Sequence, residues 1–181
     1  GQLTFQYSGY SSSYPGWKAI VSCYLPVAAP LSLMVELFNN KPRLSWIDQS
    51  NDETKFVIER STNSPKRFEI IGEATANSTS FVDNSAPANA LCYYRVRAYR
   101  DTQGSPNSNV AELGIGNAPF LMKDSVLITC DKIFMDEGGV DMMGEANQVK
   151  TVTFKPSIPG NRVRVVFSNF RILYSTLYVF N

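Results

Sequence analysis

The side chains able to do chemistry are few in this chain, and one common type is missing. Its 181 residues include no histidine. That removes the commonest general base, the commonest metal ligand and the usual partner of a serine or cysteine nucleophile. Most hydrolase mechanisms are thereby disfavoured before any motif is read. Three cysteines, Cys23, Cys92 and Cys130, are too few and too scattered for a four-thiolate zinc site. The carboxylate cluster is Asp136, Glu137, Asp141 and Glu145, set around Gly138 and Gly139. Hard oxygen ligands in a glycine-containing loop suit calcium, so Asp136, Glu137 and Asp141 are the candidate metal ligands. A solvated acidic loop is the competing reading. Nothing nearby supplies the cleft that catalytic carboxylates would need.

The remaining motifs are short. Asn77-Ser78-Thr79 fits the N-glycosylation sequon. Asp124-Ser125-Val126 fits a bacterial O-glycosylation pattern of aspartate before serine and an aliphatic residue. Lys66, Arg67, Arg95, Arg97 and Arg100 make a modest basic face, which a solvated sheet surface explains better than a nucleic-acid groove. With 17 basic and 16 acidic residues, there is no electrostatic case for nucleic acid or an anionic membrane. No apolar run approaches the ~20 residues of a membrane helix, so no membrane insertion is expected. Tyr7, Tyr10, Tyr14 and Tyr24 have faces that could stack on sugar rings, although packing between flank and core is their more ordinary use. The first residues lack a basic region followed by an apolar one, so no signal peptide is expected there.

The elements that would position these residues are strands. The 11 Phe and 9 Tyr residues, with many Val and Ile, favour sheet. Seven short strands are predicted, over 31–36, 43–47, 56–60, 67–71, 79–82, 91–100 and 110–113. In the longest, Cys92, Tyr94, Val96 and Ala98 share one face, and Tyr93, Arg95, Arg97 and Tyr99 share the other. Even spacing of this kind argues a β-sandwich, and no window carries a helical period. Further strands are predicted at 126–129, 149–154, 162–167 and 177–180, with turns at 136–139 and 156–160.

Three separated motifs resemble the fibronectin type III family: Leu44-Ser45-Trp46-Ile47-Asp48, Phe56-Val57-Ile58-Glu59-Arg60-Ser61 and Tyr93-Tyr94-Arg95-Val96-Arg97-Ala98-Tyr99. The resemblance covers a little under half of the chain. It implies that Trp46, Tyr94 and Val96 are core residues and that Tyr94 makes the tyrosine corner of such sandwiches. On the inward face, Cys92 reads as a small buried hydrophobe.

The flanks resemble another family. Thr129-Cys130, Phe134-Met135-Asp136-Glu137-Gly138-Gly139, Thr151-Val152-Thr153-Phe154, Pro159-Gly160, Phe167-Ser168-Asn169-Phe170 and Leu177-Tyr178-Val179-Phe180-Asn181 follow one another as in the first part of a bacterial secreted CUB-like domain. Gly1-Gln2-Leu3-Thr4-Phe5-Gln6-Tyr7 and Gly16-Trp17-Lys18-Ala19-Ile20-Val21-Ser22-Cys23 resemble the last two strands of one. The resemblance implies that Cys23 and Cys130 lie close in a completed sheet and can form a disulfide. Lys155 stands where some relatives carry a second cysteine, and Ser175-Thr176 where relatives place a calcium-binding aspartate. The calcium site it implies is therefore incomplete, and no other cofactor is expected.

The expected organisation is thus all-β: a fibronectin type III sandwich at 31–114 between partial CUB-like jelly-roll sheets at 1–25 and 119–181, with linkers at 26–30 and 115–118. The expected function is a non-catalytic segment of a large secreted or cell-surface bacterial protein, of the kind exported by the type IX route. Such a segment would serve adhesion, spacing or surface assembly, its half-domains completed by strand exchange. Its partners would be other domains of the same long chain, other copies of it, or surface glycans or proteins. An accessory region of a secreted hydrolase or protease and a carbohydrate-binding module are the competing classes.

Overall fold

The computed structural model of the chain describes residues 4–6, 18–21, 23, 25–136, 138–139, 148–168 and 176–180. Among them all regular structure is β. Seven strands lie where they are predicted, with small shifts at their ends: β1 (Leu31–Phe38), β2 (Lys41–Ile47), β3 (Lys55–Thr62), β4 (Glu69–Thr75), β5 (Ser80–Val82), β6 (Leu91–Arg100) and β8 (Ala111–Gly114). A two-residue strand, β7 (Gln103–Gly104), precedes the last. One sheet has the order β1-β2-β5. The other has the order β4-β3-β6-β7, with β8 also pairing β6. Every pairing within both sheets is antiparallel. These two sheets close on one core, which is a fibronectin type III-like sandwich.

Local chemistry explains the connections. Asn39 and Asn40 have φ of 49° and 60°, the left-handed pair a tight primed hairpin turn requires, and asparagine tolerates it. Strand β4 runs on through Gly72, where the sequence pattern places its end. A Cβ there would stand 2.6 Å from the Phe81 ring of β5, so the missing side chain is a packing slot rather than a break. After β7, Ser105 and Ser108 continue the pairing with β6 through side chains: their hydroxyls accept the amides of Ala98 (3.0 Å) and Val96 (3.0 Å). Near the bulge in β1, Asn109 accepts from the Leu33 amide (2.8 Å) and donates to the Leu33 carbonyl (2.9 Å). Its carboxamide stands in for a neighbouring strand and ties the two sheets together.

The core is Leu33, Leu44, Trp46, Phe56, Ile58, Cys92, Tyr94, Val96 and Ala98, with the Trp46 and Phe56 rings 5.4 Å apart. Burying each large apolar side chain contributes about 1.5–3 kcal/mol against chain entropy. Val27 belongs to the same cluster at 3% exposure, and Pro30 is fully buried. Residues 26–30, which their prolines mark as a linker, are thus seated on the sandwich. Arg100 and Gln103 hold the carbonyl of Leu25 at 2.6 and 3.3 Å.

The other linker is pinned as well. Ile115 donates to the Ala90 carbonyl (2.9 Å), Asn117 donates to Asn89 Oδ1 (2.9 Å), and Ala118 is buried. Beyond it lie β9 (Phe120–Leu121), β10 (Ser125–Ile128), β11 (Phe134–Met135) and β12 (Val152–Lys155). β9 pairs with β11 and β10 with β12, both parallel. Phe120, Phe134 and Phe154 join the pieces, with centroids 6.3 Å and 5.0 Å apart along the series. The strand predicted at 149–154 begins only at Val152. Residues 162–167 and 177–180, also predicted as strands, carry no ladder. Val163, Val165, Val166, Phe167, Tyr178, Val179 and Phe180 are exposed. An apolar run becomes a strand only when another strand takes its backbone groups, and among the described residues none does so here.

Candidate functional site

The acidic loop is the first candidate, and only its edge lies among the described residues. Asp136 is exposed, and its Oδ1 accepts from the amides of Gly138 (2.9 Å) and Gly139 (3.1 Å). The carboxylate therefore closes a turn. Gly139, at φ 71°, needs that turn: a Cβ would collide with the carbonyl of Asn63. The loop thus docks onto the turn after β3. Glu137, Asp141 and Glu145 lie outside the described residues. Among the described residues no group of three or more carboxylate or cysteine side chains is placed to hold a metal ion.

The cysteines separate. Cys23 and Cys130 are both free and exposed, so the disulfide implied by the CUB-like resemblance is not formed in this structure. That pairing needs one completed sheet carrying both residues, and 18–21 and 23 carry no strand here. Ser157, through its hydroxyl and amide, and the Ile158 amide hold the Cys130 thiol below its ordinary value. Cys92 is buried beside Tyr94, and burial pushes its thiol up.

Trp46, Tyr94 and Val96 lie in the core. The Tyr94 hydroxyl donates to Asp83 Oδ2 at 3.0 Å. Asp83 is 1% exposed and is the hub of a cluster that composition and spacing do not reveal. Arg60 Nη1 reaches the same oxygen at 2.6 Å, while Ser85 donates to Oδ1 through its amide (2.9 Å) and hydroxyl (2.8 Å). Burial alone would raise the Asp83 carboxyl, but these donors outweigh it and hold the carboxyl low. Burial next to that carboxylate drives the Tyr94 phenol far up. The sequence signal available in retrospect was the inward position of Arg60 beside Phe56 and Ile58, since an inward charge needs a partner.

The predicted basic face is largely neutralised. Glu59, buried on the outer face of β3, accepts from Arg95 (2.6 Å) and Arg97 (3.1 Å). Arg95 also lies over the Phe68 ring at 4.2 Å, and Arg97 lies near that of Tyr99 at 5.6 Å. Arg100 pairs with Asp52. Lys66 and Arg67 of the same predicted face are exposed. Tyr7, Tyr10, Tyr14 and Tyr24 lie outside the described residues. Asn77 sits exposed in the turn between β4 and β5. Asp124 of the O-glycosylation pattern accepts the Thr151 amide at 2.7 Å, and so closes the β10–β12 pair.

The seam between sandwich and C-terminal flank holds a cavity of about 160 Å³ lined by Pro65, Leu91, Tyr93, Leu121 and Met122 with the Glu112–Lys123 pair. Tyr93 there is pushed up to about 12, first by burial and then by Glu112. Its lining is mainly apolar. Among the described residues no helix is long and apolar enough to cross a membrane.

No protein-family model matches the chain, and no curated protein matches it. Among solved structures it is similar to a Fn3-like protein from Clostridium thermocellum, with 25% identity and a TM-score of 0.44 over 50% of this chain and 95% of that one. It is also similar to a β-1,2-glucanase from Parabacteroides distasonis, at 17% identity and a TM-score of 0.44 over 50% of this chain and 13% of the glucanase. A third similar structure is pectate lyase Pel3 from Pectobacterium carotovorum, with 20% identity and a TM-score of 0.42 over 70% of this chain and 42% of the lyase.

Proposed function

We propose that this chain is a non-catalytic segment of a large secreted or cell-surface bacterial protein, serving adhesion, spacing or surface assembly. On this reading its flanks are CUB-like half-domains completed by strands from neighbouring units. The observation that carries it is the contrast between the sandwich, whose entry and exit are both seated, and the flank beyond it. There β10 and β12 form a two-stranded sheet with Val126 and Ile128 exposed. Two strands alone are marginal in water, and open edges invite another strand. Exposed apolar side chains at 163–167 and 178–180 add to the surface that a completing strand would cover.

Size-exclusion chromatography with light scattering, together with solution X-ray scattering, tests this reading. Strand completion between chains gives a concentration-dependent dimer or an open series. Completion within a chain gives a monomer whose melting temperature drops when residues 1–25 are removed. A monodisperse monomer that loses residues 1–25 to protease with no change in melting temperature would refute it.

A further inference from the structure

The loop between β2 and β3 places two acidic side chains together with no cation between them. Glu53 is 6% exposed, and its Oε1 accepts the amide of Asn77, in the turn after β4, at 2.8 Å. Its other oxygen, Oε2, has no donor in the structure. The acid that acts on Glu53 from the same loop is Asp48, five residues before it. Asp48 Oδ1 already accepts the Ser50 amide at 2.9 Å. Two ionised carboxylates in this arrangement would repel in a site where one of them is almost dry.

On the same loop, Ser50 is buried and its hydroxyl lies among the carboxyl groups. Asp52 is bound to Arg100, which also holds Gln103 and the Leu25 carbonyl. From the turn after β4 comes the neutral Asn77. At the start of β3, Lys55 is engaged with Glu73 of β4 at 2.6 Å.

We propose that Asp48 and Glu53 share one proton in the folded protein, the Asp48 carboxylic acid donating to Glu53 Oε2, and that this proton latches the β2–β3 loop to the turn at Asn77. The inference is independent of the function proposed above. The directions of titration agree with it. Burial first, and then Glu53, push the Asp48 carboxyl up. Burial also pushes Glu53 up, but the Asn77 amide first, and then its own amide, Ser50 and Asp48 beside it, outweigh that and hold the group low. Through Asp52 and Arg100 the same loop helps hold Leu25, where the N-terminal segment enters the sandwich.

The sign of the linkage follows. Asp48 has a raised value in the folded state, so its contribution is full below its unfolded value and is lost as pH rises through the folded one. Above the unfolded values of both acids and up to the folded value of Asp48, the folded protein holds more protons than the unfolded chain, and the unfolding constant rises by at most tenfold per pH unit; the lowered Glu53 gives the opposite slope on the acid side. Asp48→Asn supplies a permanent donor to Glu53 and abolishes this slope. Glu53→Gln abolishes it too, because Asp48 can then ionise without facing a second charge.

The test is urea denaturation of the full chain from pH 3.5 to 8 for wild type, Asp48→Asn and Glu53→Gln, with carbon-13 carboxyl NMR of Asp48. The expected result is an Asp48 carboxyl titrating above the ordinary aspartate range, with the variants lacking the wild-type slope in that window. Asp48 titrating at or below the ordinary range would overturn the proposal, as would a slope surviving in Asp48→Asn. So would stabilisation of the wild type at pH 7 by millimolar calcium chloride that Asp48→Asn removes, because the pair would then share a cation.

Discussion

Replacing Asp83 by alanine strips the acceptor from four donors at once. Arg60 Nη1 and the Tyr94 hydroxyl lose Oδ2; the Ser85 amide and hydroxyl lose Oδ1. Ser85 is exposed, so water can reach its amide and hydroxyl. The Tyr94 hydroxyl is fully buried and stays unpaired, which costs about 1–3 kcal/mol. Leaving a mostly buried guanidinium without its carboxylate raises the total to about 3–5 kcal/mol. In a sandwich of this size that lowers the melting temperature by roughly 12 °C or more. Urea unfolding followed by tryptophan fluorescence reads the loss, because Trp46 is in the core.

The cluster also sets a pH dependence. The Asp83 carboxyl is held below its ordinary value, so its stabilisation is present above the unfolded value and is lost as pH falls through the folded one. Asp83→Ala removes that acid limb. Tyr94→Phe costs about 1–2 kcal/mol by itself, and the two changes together cost less than their sum by about 0.5–3 kcal/mol. An Asp83→Ala protein within about 1 kcal/mol of wild type, or strictly additive changes, would refute the idea that these groups form one buried network.

Other expectations follow from the same contacts. Val27→Ala opens a cavity in the core and destabilises the sandwich by about 1–2 kcal/mol in urea titrations, whereas the same change in a true linker would have no effect. Glu59→Ala leaves Arg95 and Arg97 facing each other over a dry site and costs about 2–4 kcal/mol, most of which Glu59→Gln also loses, by thermal melting. Gly139→Ala forces the 136–139 turn off Asn63, so hydrogen exchange speeds up at 63–64 and 138–139 while the β3–β6 ladder stays protected. Iodoacetamide at neutral pH labels Cys130 and leaves Cys92 unmodified until the sandwich unfolds, as mass spectrometry of the native and urea-treated chain will show.

The sequence by itself determined which segments are strands of the sandwich and which faces they bury. Alternation in 91–100 already places Tyr94 and Val96 inward, because the side-chain period of a strand is two and allows no intermediate answer. The Asn39-Asn40 pair marks its hairpin for an equally local reason, the left-handed φ both residues adopt. Tertiary structure decided whatever depends on a partner distant in the chain. Val27 is buried in the sandwich core cluster, a placement set by residues far along the chain, whereas the prolines around it signal only extended backbone. The Asp83 hub gathers β3, β5 and β6, residues up to 23 positions apart in the direct bonds, so no local pattern contains it. Residues 162–167 have the apolar alternation of a strand and yet carry no ladder, since a strand's identity is completed by the backbone that pairs with it. The acidic side chains divided in the same way. Asp136 closes a turn and Glu53 faces Asp48, because packing rather than composition sets which carboxylate meets a donor, a cation or another acid.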